Sequence, residues 1–179
     1  MTKQLVILSD DEIGKLYGLP KFDGDARLKY FDLDQCEKSA LNTFHRVFAK
    51  VYFILQLGYF KAKQLFYVFD LESVEVDARY VCEHYFPQHI LKFKGRVSKP
   101  TRLAQQKVIL GLKGYKVTNG EIRATLLAKA EGFAKLHSKP IFIFRELLNY
   151  LELNRMVLPR YSSMQKDIIG TVSKNKLFL

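Results

Sequence analysis

The feature that most limits what this chain can fold into is the recurrence of apolar residues at helical spacing in nearly every segment. From Asn42, the positions Phe44, Val47, Phe48, Val51 and Leu55 follow the i, i+3, i+4, i+7 rule of a buried helical stripe. Val74, Ala78, Val81, Cys82 and Tyr85 repeat the pattern until Pro87 stops it, and Ile122, Leu126, Ala130 and Phe133 make another stripe. Phe144, Leu147, Leu148 and Leu151 make a further one, beginning near Pro140. The run "IFIF" inside that stretch has neither alternation over a useful length nor a partner strand. The expectation is an all-α fold.

Start and stop signals divide the stripes. Ser9 and Glu12 have capping-box spacing, and Gly18-Leu19-Pro20 closes the helix they open. A short helix is expected over Asp25 to Phe31. Ser98 caps a helix with Pro100 in its first turn, running to about Lys113 and ended by Gly114. Thr118 and Glu121 have the spacing of another capping box. A helix ends near Leu153, a connection runs from Asn154 through Pro159 to Tyr161, and Ser162 with Gln165 reads as the cap of a last helix. In that helix Met164, Ile168 and Val172 can pack inward, leaving Ser163, Gln165 and Lys166 outside. The segment Pro87 to Pro100 is polar and basic, and reads as a linker. The expected organisation is an N-terminal helical unit over residues 1–87, a basic linker over 88–98 and a second unit over 99–179. A helix-turn-helix would lie near 140–175.

Charge decides which partners are reasonable. Residues 1–97 hold 14 basic and 13 acidic residues, whereas residues 98–179 hold 15 basic and 5 acidic, a net of +10. No Asp or Glu occurs between Glu83 and Glu121, a gap containing Lys92, Lys94, Arg96, Lys99, Arg102, Lys107, Lys113 and Lys116. A second acid-free stretch, between Glu37 and Asp70, contains Lys38, Arg46, Lys50, Lys61 and Lys63. An ordinary solvated surface mixes both signs, so basic blocks inside apolar periodic segments point to a polyanion. The spread over several elements favours nucleic acid over a membrane surface, which a single cationic amphipathic helix would have suited. The opening "MTKQLVILSDDE" is too short in its apolar run for a signal peptide, and Lys50 and Gln56 interrupt the most apolar region. Cys36 and Cys82 form no framework and read as buried thiols of a reducing compartment.

The connection before the last helix carries Arg155 and Arg160, and Tyr161 stands beside them. A recognition helix meets base edges with residues such as Ser162, Ser163 and Gln165 near its N-terminus, while flanking cations such as Lys166 hold phosphates. The same pattern also suits a plain helical corner in a core. Chemistry, by contrast, has no evident seat. The acids cluster in Asp10 to Glu37 and Asp70 to Glu83, where helix-dipole roles suffice. "GLKGYK" lacks P-loop spacing, and Cys82, His84 and His89 lack a fourth zinc ligand. No metal, no cofactor and no catalytic residue is expected.

Three stretches, "LSDDEIGKLYGLPKF" (8–22), "FILQLGYFK" (53–61) and "NRMVLPRYSSMQKDI" (154–168), resemble in order and spacing the N-terminal region of the Tn-three family of replicative bacterial transposases. The resemblance spans essentially the whole chain. It implies a non-catalytic part of a longer transposase that binds the transposon's terminal inverted repeats as duplex DNA through small helical units. The catalytic RNase H-like domain would lie elsewhere, oligomerisation would belong to the full-length protein, and the setting would be the bacterial cytoplasm and nucleoid. The ending "SKNKLFL", which stops in a helical pattern, agrees with a fragment. "CEKSALNTF" and Arg160 depart from the relatives, which are often richer in arginine and small residues at the first and often have a small residue at the second. On this reading the cations of 92–116 give non-specific affinity, and the Ser162 helix and a basic face of the Asn42 helix read bases. An RNA-binding helical module and a protein-interaction scaffold are the alternatives.

Overall fold

The computed structural model describes residues 6–176, with side chains through Lys174. The readings of the opening residues as no signal peptide and of the last ones as an unclosed helix fall largely outside these described residues. Within them the chain is all-helical, with no strand and one short 3-10 turn, Leu71–Val74. The helices are α1 (Asp10–Tyr17), α2 (Gly24–Tyr30), α3 (Gln35–Leu41), α4 (Val47–Lys63), α5 (Glu75–Tyr85), α6 (Lys99–Lys113), α7 (Gly120–Leu136), α8 (Pro140–Leu153) and α9 (Tyr161–Lys176). "IFIF" lies in α8. Among the described residues no helix is long and apolar enough to cross a membrane.

The chain divides into two compact units, one of residues 19–114 and one joining residues up to Gly18 with those from Tyr115 onward. This differs from the expected division at 88–98, and the reason is local. The segment read as a linker is strapped to the first of these units. Leu71 N–H donates to the Gly95 carbonyl at 2.8 Å, and Gly95 N–H donates to Glu72 Oε2 at 2.7 Å. Arg96 pairs with Asp70 at 3.0 Å, the Arg79 guanidinium sits over the Phe93 ring, and Val97 is buried. The helix that follows, α6, packs on α4. The division instead falls where glycines close helices, at Gly18 after α1 and at Gly114, whose φ of +67° is a left-handed C-terminal cap.

In the 19–114 unit, α4 is the hub. Every residue from Val51 to Phe60 is buried, enclosed by α2, α3, α5 and α6. Gly58 is required by this enclosure, because a Cβ there would lie 2.4 Å from the Phe31 ring. Polar side chains tie the shell to the hub. Asp77 accepts hydrogen bonds from Arg27 Nε and Tyr59 Oη, both at 2.7 Å. Gln56 Nε2 donates to Gln105 Oε1 at 2.6 Å, and Gln105 Nε2 donates to the Ala49 carbonyl at 2.8 Å. The buried Glu37 carboxylate pairs with Lys61 at 2.8 Å and with Lys113. Helix α3, unanticipated in "CEKSALNTF", is opened by a reciprocal Asp34–Glu37 capping box. Helix α4 accordingly starts at Val47 rather than near Asn42. Cys82 is buried, but Cys36 is exposed, which corrects the reading of both as buried thiols.

In the other unit α7, α8 and α9 pack around Ile143, Phe144, Leu147, Met164 and Ile168, and Ile7, Leu8, Leu16 and Tyr17 from the α1 region close the core. The Ser9–Glu12 capping box is formed as expected, and Met164, Ile168 and Val172 point inward as expected. Two caps are corrected. Asn119, not Thr118, caps α7, its Oδ1 accepting from Ile122 N–H at 2.9 Å, because the Thr118 hydroxyl is directed to the Val157 carbonyl. Ser162 is the second residue of α9 rather than its cap. The Arg160 carbonyl accepts from the N–H groups of Ser163 and Met164 at 3.0 and 3.2 Å.

Candidate nucleic-acid interface

The end of α8 explains the break in the sequence before α9. Arg155 N–H donates to the Glu152 carbonyl at 3.1 Å, and Met156 N–H reaches back to the Leu151 carbonyl at 2.9 Å. These two bonds form a Schellman cap, with Arg155 as its left-handed residue at φ +48°. Glycine normally takes that position, since a side chain there costs about 1–2 kcal/mol. The chain then passes a parallel bridge to the segment before α7. Lys116 N–H donates to the Arg155 carbonyl, and Val157 N–H to the Lys116 carbonyl, both at 2.9 Å. The bridge joins the backbones of these two segments; Lys116 and Arg155 are both exposed, and exposed Arg160 leads into α9. Ser162, Ser163 and Lys166 lie exposed on the first two turns of α9, while Gln165 is half-buried.

Not every residue expected in this cluster is available. Tyr161, read as an exposed contact, is half-buried: its hydroxyl accepts from Leu8 N–H at 3.0 Å and its ring meets Tyr17 edge-on. It anchors the α1 region instead. Arg123 on α7 forms a two-pronged pair with Asp167 on α9, at 3.3 and 2.9 Å, so that acid is already paired. That pair joins residues far apart in sequence and has no local signature.

The 19–114 unit carries a second group of cations. The Gln105–Ala49 bond places the first turns of α4 and α6 at one end of the unit, with Arg46 and Lys50 on the one and Lys99 and Arg102 on the other. Arg96 stands close by: burial pushes the Tyr52 hydroxyl above its ordinary pKa, and the positive charges of Arg102 and Arg96 act against that. Lys92 and Lys94 lie exposed on the strap, and Lys107 on α6. Both ends of α6 are thus basic, but only the first is open. At the other, Lys61 and Lys113 are held by Glu37, and Lys63 is half-buried. Of the expected basic face of the Asn42 helix, Arg46 is exposed and Lys50 half-buried, whereas every residue of α4 from Val51 to Phe60 is buried, so that face is confined to the start of the helix.

A family model for a domain of unknown function, DUF4158, matches residues 7–171. No curated protein and no solved structure matches the chain. The match covers most of the chain, and the chain belongs to that family.

Proposed function

We propose that this member of the DUF4158 family is a non-catalytic region that binds duplex DNA at transposon terminal inverted repeats, as part of a bacterial transposase of the Tn-three type acting at the nucleoid. The observation that carries the reading is that the backbone bridge joins the exposed basic residues Lys116 and Arg155 in the connection that leads through exposed Arg160 into α9. Exposed small and basic residues on that helix's first turns continue the surface, with the nearby acid paired away. Phosphates would be held by the three cations and by Lys166, and base edges met by Ser162 and Ser163. Gln165, being half-buried, contributes less to readout than its sequence position suggests. The domain occurs in transposase-like proteins, which supports the same reading. Arg46, Lys50, Lys99 and Arg102 would supply further phosphate contacts from the second unit.

The test is a titration of the whole chain against three partners: duplex from a terminal repeat, a scrambled duplex, and RNA, each at several salt concentrations. Tighter binding to the repeat, with affinity falling linearly on a log–log salt plot, is the expected outcome. Preference for RNA would favour an RNA-binding module, and negligible binding of all three at moderate salt would favour a protein-interaction scaffold; either result sinks the proposal.

A further inference from the structure

Beside the start of α9 the structure has a cleft of about 360 Å³. Leu126 and Ala130 of α7, Leu147 of α8 and Met164 of α9 make its apolar walls, and Leu158 and Pro159 form a lip. The volume is that of a site for a small organic molecule, and such sites combine apolar walls with a few placed polar groups. The polar lining side chains are Thr118, whose hydroxyl is directed to the Val157 carbonyl, Asp167, and the exposed Arg123, Arg160 and Ser163, which form the rim.

The rim is electrostatically uneven, and the unevenness selects a ligand. Arg123 and Asp167 cancel one another through their two-pronged pair. Arg160 is exposed and takes no ion pair among the described residues, so one uncancelled positive charge borders the apolar space. Ser163 adds a hydroxyl on the same turn of chain. A neutral apolar molecule would leave that charge unused. A dianion would set its second charge in the apolar walls or against Asp167, which costs desolvation or repulsion.

We infer that this cleft binds an apolar monoacid, a compact aromatic or branched body with one carboxylate that pairs with Arg160. The body displaces water that finds few hydrogen-bond partners against Leu126, Ala130, Leu147 and Met164. Arg160 and Ser163 also belong to the surface assigned above to DNA, and a carboxylate on Arg160 removes one of its positive charges. The ligand is therefore an antagonist of duplex binding, a consequence that rests on the proposed function, whereas the site itself does not.

The experiment uses 1-naphthaleneacetate and its neutral counterpart, 1-naphthaleneethanol, titrated into the whole chain by calorimetry. The acid is expected to bind severalfold more tightly than the alcohol, the scale of an ion pair to an exposed cation. Arg160→Ala should abolish the difference and Arg160→Lys restore part of it. Both change an exposed residue and leave the core alone. Ala130→Leu, which narrows the cleft, should weaken both probes. Equal binding of the two probes, no binding of either, or an unchanged preference in Arg160→Ala overturns the site. So does self-association in sedimentation that Ala130→Leu abolishes, since a second copy would then be the occupant. In a second arm, saturating acid is expected to weaken terminal-repeat binding severalfold; unchanged affinity overturns the antagonism. Probe binding by a chain that binds no duplex overturns the nucleic-acid reading while supporting the cleft.

Discussion

The Lys116 N–H donates to the Arg155 carbonyl at 2.9 Å, so the backbones of two basic residues from distant parts of the sequence are joined. The bridge also fixes the turn before α9 to the segment before α7, so neither can shift alone. Arg155 occupies the left-handed cap position where glycine is the usual residue.

That combination yields the first prediction. Arg155→Gly removes a strained side chain worth about 1–2 kcal/mol and adds glycine's backbone entropy of about 0.5–1 kcal/mol. The thermal midpoint should therefore stay level or rise by a few degrees. Duplex affinity should fall even so, with the log–log salt slope reduced by about 0.9, one phosphate contact. Calorimetric melting and salt-dependent binding on the same preparation check both parts. A loss of stability together with an unchanged slope would show that Arg155 is retained for packing rather than for a phosphate.

The parts of this fold that the sequence announces are those decided within one or two helical turns. The Ser9–Glu12 box, the inward faces of Met164, Ile168 and Val172, and the glycine stops at Gly18 and Gly114 are all of that kind. Periodicity reports which face of a helix is buried and is silent on what covers it. Nothing local in α6 says that Gln105 meets Gln56, so its periodicity alone does not tell which of the two units α6 belongs to. Neighbouring Thr118 and Asn119 are comparable caps in sequence, and the choice is made by Val157, far along the chain. Helix α3 is seven residues long, too short for a convincing stripe. Of the interface, the basic residues were visible as types; their sorting into open and paired ones depended on Glu37, Asp70 and other acids from elsewhere in the chain.

This sorting gives a second prediction, that the lysines fall into two classes. Lys113→Ala removes one of two cations from a buried carboxylate and should cost about 1–3 kcal/mol of stability. It should leave the salt slope of duplex binding unchanged. Lys107→Ala, on the exposed side of the same helix, should stay within about 0.5 kcal/mol of the parent and lower the slope instead. Denaturant melts and binding isotherms on the two variants separate the classes. A Lys113→Ala protein of full stability would mean that Glu37 is satisfied by Lys61 alone.

The 19–114 unit should fold by itself. It has its own buried hub in α4, and its limits fall at Gly18 and Gly114, where helices are already closed. A polypeptide of residues 19–114 is expected to be helical by circular dichroism and to melt cooperatively. One ending at residue 87 lacks α6 and the strap, uncovers Gln56 and leaves Glu37 short of a partner. It should melt at a clearly lower temperature or without cooperativity. Similar melts for the two pieces would place the boundary near Pro87 after all.

Stability should fall at both ends of the pH scale, for opposite reasons. Hydrogen bonds from the backbone hold three carboxyls below their ordinary pKa: Glu12 through Ser9, Asp34 through Glu37, and Glu72 through its own N–H and that of Gly95. A lowered folded-state pKa gives stability that is present above the unfolded value and lost as the pH falls through the folded one. The melting temperature should therefore hold from neutrality down to the ordinary carboxylate range and decline below it. Burial pushes the Tyr67 and Tyr85 hydroxyls up to about 12, with Asp32 adding to the shift of Tyr85. Their contribution has the opposite sign: it is complete below the unfolded tyrosine pKa of about 10 and is lost as the pH climbs toward the folded value. Melting curves from acid to strongly alkaline solution should show a plateau with a fall on each side. Glu72→Gln should make the acid limb shallower, and Tyr67→Phe, which cannot ionise, should remove its share of the alkaline one while Tyr17, Tyr59 and Tyr85 keep theirs. An alkaline limb unmoved in Tyr67→Phe would assign it to other groups, and a rising acid limb would contradict the capping geometry at Glu12, Asp34 and Glu72.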